Sequence, residues 1–303
     1  MVGAVEVGRL AARLRGDGAT VVREGAGWDH VAWRVTGADG VPWILRAASG
    51  DSEDPSTEVQ REVGVMSAAR SVLGSLVADA VVVEGAEGWM AHPRLHGMPL
   101  QDLLAAGRVP QTALDRLGRE VGAVIRALTE LPVPVDVPIE DGLAVWLAEV
   151  PSNVEAVAPL LTDDLRAAVD HFLTMTVPVD PDPADLRFGH NDLGAEHILV
   201  DPATFAITGI IDWSDAAIAD QAADVGRLLR DLGDGHIDAV LDGMRLTPAE
   251  RAGVRERAWC YARCLVLEDL AYAIERRPDL VDFEMSSLAR LFGRPSRPTD
   301  EPG

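Results

Sequence analysis

The chain has 303 residues, 48% of them hydrophobic, with 49 acidic side chains against 27 basic ones and a formal net charge of −22; all 27 are arginine, because lysine is absent. A field of that sign repels nucleic acid and anionic lipid and favours cationic small molecules, so neither nucleic acid nor a membrane is expected as a partner. No apolar run reaches the length of a membrane span and the first ten residues hold Glu6 and no hydrophobic signal core, which predicts a soluble cytoplasmic protein, a monomer or weak dimer, long enough for two modest lobes.

Residues 2–15 alternate apolar and charged positions at helical spacing and end at Gly16 and Gly18. Strands follow at 20–23 and 31–35 around the loop 24–30, which contains Gly25 and Gly27, and a third strand at 42–47 follows the Asp39–Gly40 turn. A helix beginning near Pro55 or Ser56 puts Glu58, Glu62 and Met66 on one face, and strands are predicted at 77–83 and 88–92. From Leu100 the pattern turns helical, at 100–105, 112–128, 143–150 and 163–174, with proline-rich connectors at 129–138 and 177–185. Further helices are predicted at 221–232, with Asp220 as candidate N-cap and Asp224 in the first turn, at 248–274 as one long helix or a pair, and at 283–292. Cys260 and Cys264, one helical turn apart, read as buried free thiols rather than metal ligands. Residues 295–303 carry no apolar pattern and are expected to form a disordered tail.

One stretch stands out, residues 187–220. A short strand at 186–188 leads into a polar loop with His190, Asn191, Asp192 and His197, then two apolar strands at 198–200 and 206–211 joined by an Asp201–Pro202 turn, ending directly on Asp212 with Asp215 three residues later. A loop acid, a polar side chain five residues on and an acid closing a hairpin converge their donors on a small volume. Phosphoryl transfer needs that arrangement: one acid orients the attacking hydroxyl while other groups hold magnesium across the nucleotide phosphates. Asn191 shapes the loop, and His190 is placed as well to brace it as to touch substrate.

This block resembles the catalytic segment of the aminoglycoside phosphotransferase family, antibiotic kinases of protein-kinase-like fold, whose pattern is His-x-Asp-x-x-x-x-Asn, a hairpin, then Ile-Asp-x-x-Asp. Here it stands as His190, Asp192, position 197, Asp212 and Asp215. Position 197 is His where the family pattern has Asn, a departure similar to that of the macrolide and aminoglycoside 2″-phosphotransferase branches. The resemblance implies an α+β bilobal fold: an N-terminal nucleotide-binding lobe, a small mostly antiparallel sheet, over residues 1–93, and a larger helical catalytic and substrate-binding lobe over 94–294. It implies ATP or GTP and Mg²⁺ as cofactors. Gly25 and Gly27 would approach the phosphates, Arg46 would cradle them where the family usually has Lys, and Glu62, with Glu58 as rival, would hold that cation. Met90, Ala91 and His92 would border the base.

Asp192, with His190, is then the expected catalytic group, and Asp212 and His197 the metal site, although neutral imidazole suits magnesium poorly. The activity implied is transfer of the γ-phosphoryl group to a hydroxyl of an amino-bearing antibiotic. Asp231, Asp234, Glu268, Asp269 and Glu275 are candidates to hold its protonated amines. A metabolic kinase of the same fold and a nucleotide-binding pseudokinase stand as alternatives.

Overall fold

The computed structural model describes residues 4–26, 31–48, 54–132 and 137–293. Residues 1–3, 27–30 (with Gly27), 49–53, 133–136 and 294–303 lie outside the described residues. An antiparallel five-stranded sheet is built from β1 (Thr20–Ala26), β2 (Val31–Thr36), β3 (Pro42–Ala47), β4 (Val81–Val82) and β5 (Trp89–Pro93), in the order β1-β2-β3-β5-β4. Helix α1 (Ala4–Arg15) covers one face, where Val7, Leu10 and Ala11 pack with Val35, Leu45, Trp89 and Ala91 in a small separate core. Helix α2 (Pro55–Leu73) serves the other face. It starts where Asp54 accepts the Thr57 backbone N–H at 3.1 Å and Pro55 takes the first helical position, where a missing N–H costs nothing.

The period-two alternation of a strand decides which side chains face α1 and which face away from it. Leu45 and Ala47 belong to the core under α1, so Arg46 between them points the opposite way; across the ladder Arg46 pairs with Met90 and Ile44 with His92. Ala91 alternates to the α1 side, fully buried between Leu45 and Val81. The Ala91 side chain therefore faces α1, leaving its backbone groups as what it could offer a base, while Met90 and His92 share the face of Arg46.

The remainder is mostly helical: α3 (Leu100–Ala105), α4 (Gln111–Thr129), α5 (Leu143–Val157), α6 (Asp163–Thr174), α7 (Ala222–Leu232), α8 (Asp234–Met244), α9 (Pro248–Arg276) and α10 (Val281–Phe292). Two small sheets interrupt them. β6 (Met98–Pro99) pairs with β8 (Ile198–Val200), which pairs with β9 (Ile207–Ile210); β7 (Arg187–Gly189) pairs with β10 (Ala217–Ala219). The α+β expectation, an antiparallel sheet followed by a mostly helical region, holds.

Helix α8 has no counterpart in the predicted elements. It packs directly on α4, with Gly122 and Gly243 at points where a Cβ would run into the facing backbone of Val240 and Arg119. Helix α5 also runs past its predicted end, with Pro151 inside it, at the cost of one backbone hydrogen bond.

Candidate active site

Arg46 is the hub of the sheet side. It is buried, its Nη2 lies 2.5 Å from Glu62 Oε2 on α2, and its Nη1 lies 3.3 Å from Asp212 Oδ1, which follows β9. A cation bridging a helix glutamate and a hairpin aspartate is what a phosphate-holding group needs, since the three segments must be in register before the charge is correctly placed. Of the two glutamates expected to compete for it, Glu62 makes the contact. Burial pushes the Glu62 carboxyl up to about 7 against the pull of Arg46. His92, also buried on this face, is pushed down to about 4 by burial, so it is a neutral ring whose Nδ1 lies 3.0 Å from the Pro93 carbonyl.

The loop after β7 is held from three sides. His190 is fully buried: its Nε2 lies 3.0 Å from the Ile211 carbonyl, its Nδ1 accepts the Asp192 backbone N–H at 3.3 Å, and its ring packs at 4.6 Å on Trp213. With both nitrogens committed to backbone and the ring sealed from solvent, His190 braces the loop against the hairpin rather than reaching reacting atoms. Burial also lowers its basicity. Asn191 (φ 62°) and Asp212 (φ 63°) both sit in the left-handed region, which costs roughly 1–3 kcal/mol each for non-glycine residues. Asn and Asp tolerate it best, and here it turns the chain sharply at the two places where acids must face one another.

Asp192 is flanked at both oxygens. Arg227 Nε on α7 donates to Oδ1 at 2.7 Å, and His197 Nδ1 lies 3.2 Å from Oδ2 and 2.8 Å from the Asp192 carbonyl. Burial opposes the negative charge, but Arg227, His197 and His190 together hold the carboxyl well below the usual range. His197 in turn lies between two acids, its Nε2 3.8 Å from Asp212 Oδ2. Burial works against its charge; Asp192, Glu196 and Asp212 prevail and raise it to about 9.

Helix α7 supplies the remaining support, which the sequence motifs did not mark apart from Asp224. Asp224, Arg227 and Asp231, spaced i, i+3 and i+7, share one face and all meet the loop after β7. Asp224 accepts the backbone N–H groups of Asn191 at 3.2 Å and Leu193 at 3.0 Å, and Asp231 accepts that of Ala195 at 2.7 Å. Asp220 accepts from the Ala222 N–H at the start of the helix and pairs with Arg257. Asp224→Ala would strand two buried N–H donors, so a loss of about 1–3 kcal/mol for each is expected. Thermal or denaturant unfolding checks it, and a variant as stable as the parent would show that the loop holds itself.

Asp231, expected from sequence to meet an acceptor, is buried and paired with Arg230 as well as with the loop, so that expectation is corrected: its lone pairs are spent inside the protein. Asp234 pairs with Arg255, and the exposed Glu275 with its neighbour Arg276. Asp269 contacts Arg230 at 2.5 Å and Glu196 contacts the same guanidinium at 3.0 Å. The Glu268 carboxyl is raised by partial desolvation against the opposing charge of Arg227, and it also feels Asp192. Of the five acids expected to receive amines, Glu268 and Asp269 feel the charges around the loop after β7, Asp269 with its side chain still 31% exposed beside Arg230.

The donors differ in what they could hold. Among the described residues, Asp192, Glu196 and His197 bring ligand atoms within 4.8 Å of one another, but Arg227 and Arg230 already neutralise the two carboxylates. Asp212, a part-exposed carboxylate, offers the hard oxygen that magnesium prefers; the His197 nitrogens do not. The residues present thus fit a divalent cation at Asp212 and leave His197 as a bridge between acids.

Residues 20–260, well over half of the chain, match the model of the phosphotransferase enzyme family. The chain belongs to that family. The family recognised from the motif is also represented by an aminoglycoside 3′-phosphotransferase of Streptomyces fradiae, 32% identical over 158 residues, which are 50% of this chain and 57% of that relative. The chain thus matches little more than half the length of that protein. Solved structures share the fold. The GDP complex of wild-type aminoglycoside 2′-phosphotransferase-IIIa superposes with a TM-score of 0.67 at 20% identity, covering 96% of this chain and 99% of that one. The GDP and kanamycin complex of APH(2″)-IIia gives 0.63 at 21%, over 90% and 92% of the two chains. A macrolide 2′-phosphotransferase type I gives 0.59 at 21%, over 96% and 98%. At 20–21% identity these likenesses show the fold.

Proposed function

We propose that this member of the phosphotransferase family moves the γ-phosphoryl group of ATP or GTP to a hydroxyl of an amino-bearing antibiotic of the aminoglycoside or macrolide type. The observation that carries the reading is the convergence of Arg46, Glu62, Asp212, His197 and Asp192, drawn from three separate parts of the chain, into one connected set of ion pairs. Asp192 faces the acceptor as the group that orients its hydroxyl and takes up the proton. Arg46, held by Glu62, meets the nucleotide phosphates. Asp212 would hold Mg²⁺, whose charge offsets that of the phosphates. His197 ties Asp192 to Asp212 so that the acceptor and nucleotide sides of the site move together. His190 and Asp224 keep the loop in place.

The acceptor assignment rests on the acids that feel the charges around the loop, Glu268 and Asp269, on the net charge, and on the named substrates of the relatives. It is tested by a nucleotide-consumption screen with ATP and with GTP against amino-sugar antibiotics, amino alcohols and neutral sugars. The best acceptor is expected to be cationic, with a KM that rises with ionic strength because salt screens the steering field. A neutral or anionic best acceptor, or a KM indifferent to salt, contradicts the assignment and favours a metabolic kinase.

A further inference from the structure

We propose that Arg227, seated on Trp146, is the positioning residue that aims the Asp192 carboxylate at the acceptor hydroxyl. The inference rests on the phosphotransfer reading and extends it to two residues that no catalytic motif marks. Arg227 is 7% exposed, and its Nε donates to Asp192 Oδ1 at 2.7 Å. The guanidinium carbon lies 5.5 Å from the centre of the Trp146 ring on α5, and Trp146 stands edge-on to Tyr261 of α9 at 5.5 Å. A line of contacts therefore runs from the α9 core through an indole and a guanidinium to the reacting carboxylate.

The Nη1 of Arg227 is buried with no hydrogen-bond partner. Among the described residues, the side chain is oriented by the indole, by its directed bond to Asp192 and by the nearby charge of Asp224. An aspartate side chain left to itself rotates about two bonds. Here Arg227 donates to Oδ1, while His197, its Nδ1 bonded to the Asp192 main-chain carbonyl at 2.8 Å, lies 3.2 Å from Oδ2 as a charged neighbour, and the carboxylate keeps lone pairs for an incoming hydroxyl. Lysine could restore the charge but not the planar Nε–H directed along this line.

The test uses the acceptor found in the screen and compares the parent with Arg227→Ala, Arg227→Lys and Trp146→Leu. The measurements are kcat, acceptor KM, nucleotide affinity by calorimetry and thermal stability. Arg227→Ala is expected to lower kcat about 10²-fold, the scale of a misplaced reacting group, with nucleotide affinity retained. Arg227→Lys should recover little of it, and ethylguanidinium added to Arg227→Ala should restore part of the lost kcat, which a purely structural role would not allow. Trp146→Leu should lower kcat in the same direction while leaving Arg227 in the chain. A folded Arg227→Ala protein with the parent's kcat, or a loss that ethylguanidinium leaves untouched and lysine repairs, overturns the proposal. If Arg227→Ala does not fold, Trp146→Leu decides: parental kcat in that variant overturns it. A parent that phosphorylates no acceptor defeats the phosphotransfer reading, and this proposal falls with it.

Discussion

Asp192→Ala is expected to reduce phosphoryl transfer about 10²–10⁴-fold, the usual worth of a positioned acid-base group, while nucleotide binding stays close to that of the parent. The separation follows from the geometry. Asp192 is tied to the loop and α7 through His197 and Arg227, whereas the phosphate-side ion pairs of Arg46 run to Glu62 and Asp212. Removing the carboxylate leaves Arg227 and His197 with less to hold, so a modest fall in stability should accompany the kinetic loss. Single-turnover measurements with the best acceptor, beside calorimetric titration of the nucleotide, check both halves. Turnover like the parent's would remove Asp192 from the chemistry.

Asp212→Asn is expected to act on the other half of the site. A carboxylate that holds a divalent cation loses most of its hold when it becomes an amide, and the cation is the largest local charge facing the phosphates. Magnesium-dependent nucleotide affinity should fall together with turnover, and raising magnesium should recover part of it. Arg46 keeps a neutral amide oxygen in place of its carboxylate partner at 3.3 Å, so without added metal nucleotide binding should change little. Nucleotide affinity and metal dependence that both match the parent would show that the ion, if one is used, is held elsewhere.

Much of this arrangement was legible because local chemistry and long-range packing agree. The strand–loop–hairpin frame around residues 187–212 follows from β-branched runs and an Asp-Pro turn, whereas Arg46 and Glu62 follow from the family resemblance, which expects a cation on the third strand and a glutamate on the helix after it. Helix α8 was hidden because its Gly235 and Gly243 depress helix propensity, whereas Gly243 is there to let α4 approach. Strand β4 came out as only Val81–Val82, since a two-residue pairing at a sheet edge needs no longer apolar run. The role of Asp231 was misjudged because net charge says nothing about which acids are already paired: the region after the hairpin is dense in acids, but Arg230 gathers Glu196, Asp231 and Asp269 around itself. A signal did exist. In α7 the charged positions 224, 227 and 231 fall on one helical stripe, while Val225, Leu228, Leu229 and Leu232 are buried. Solvent cannot be the partner of a charged stripe on a helix buried all round, and the loop it faces is the one that carries Asp192.

The most direct measurement is mass spectrometry of the acceptor after incubation with protein, magnesium and either ATP or GTP, run in parallel with the Asp192→Ala protein. A single phosphoryl group on one hydroxyl of an amino-bearing antibiotic, formed by the parent and nearly absent with the variant, is the predicted result. Nucleotide that binds without any acceptor gaining a phosphoryl group, or equal product from parent and variant, would contradict the account.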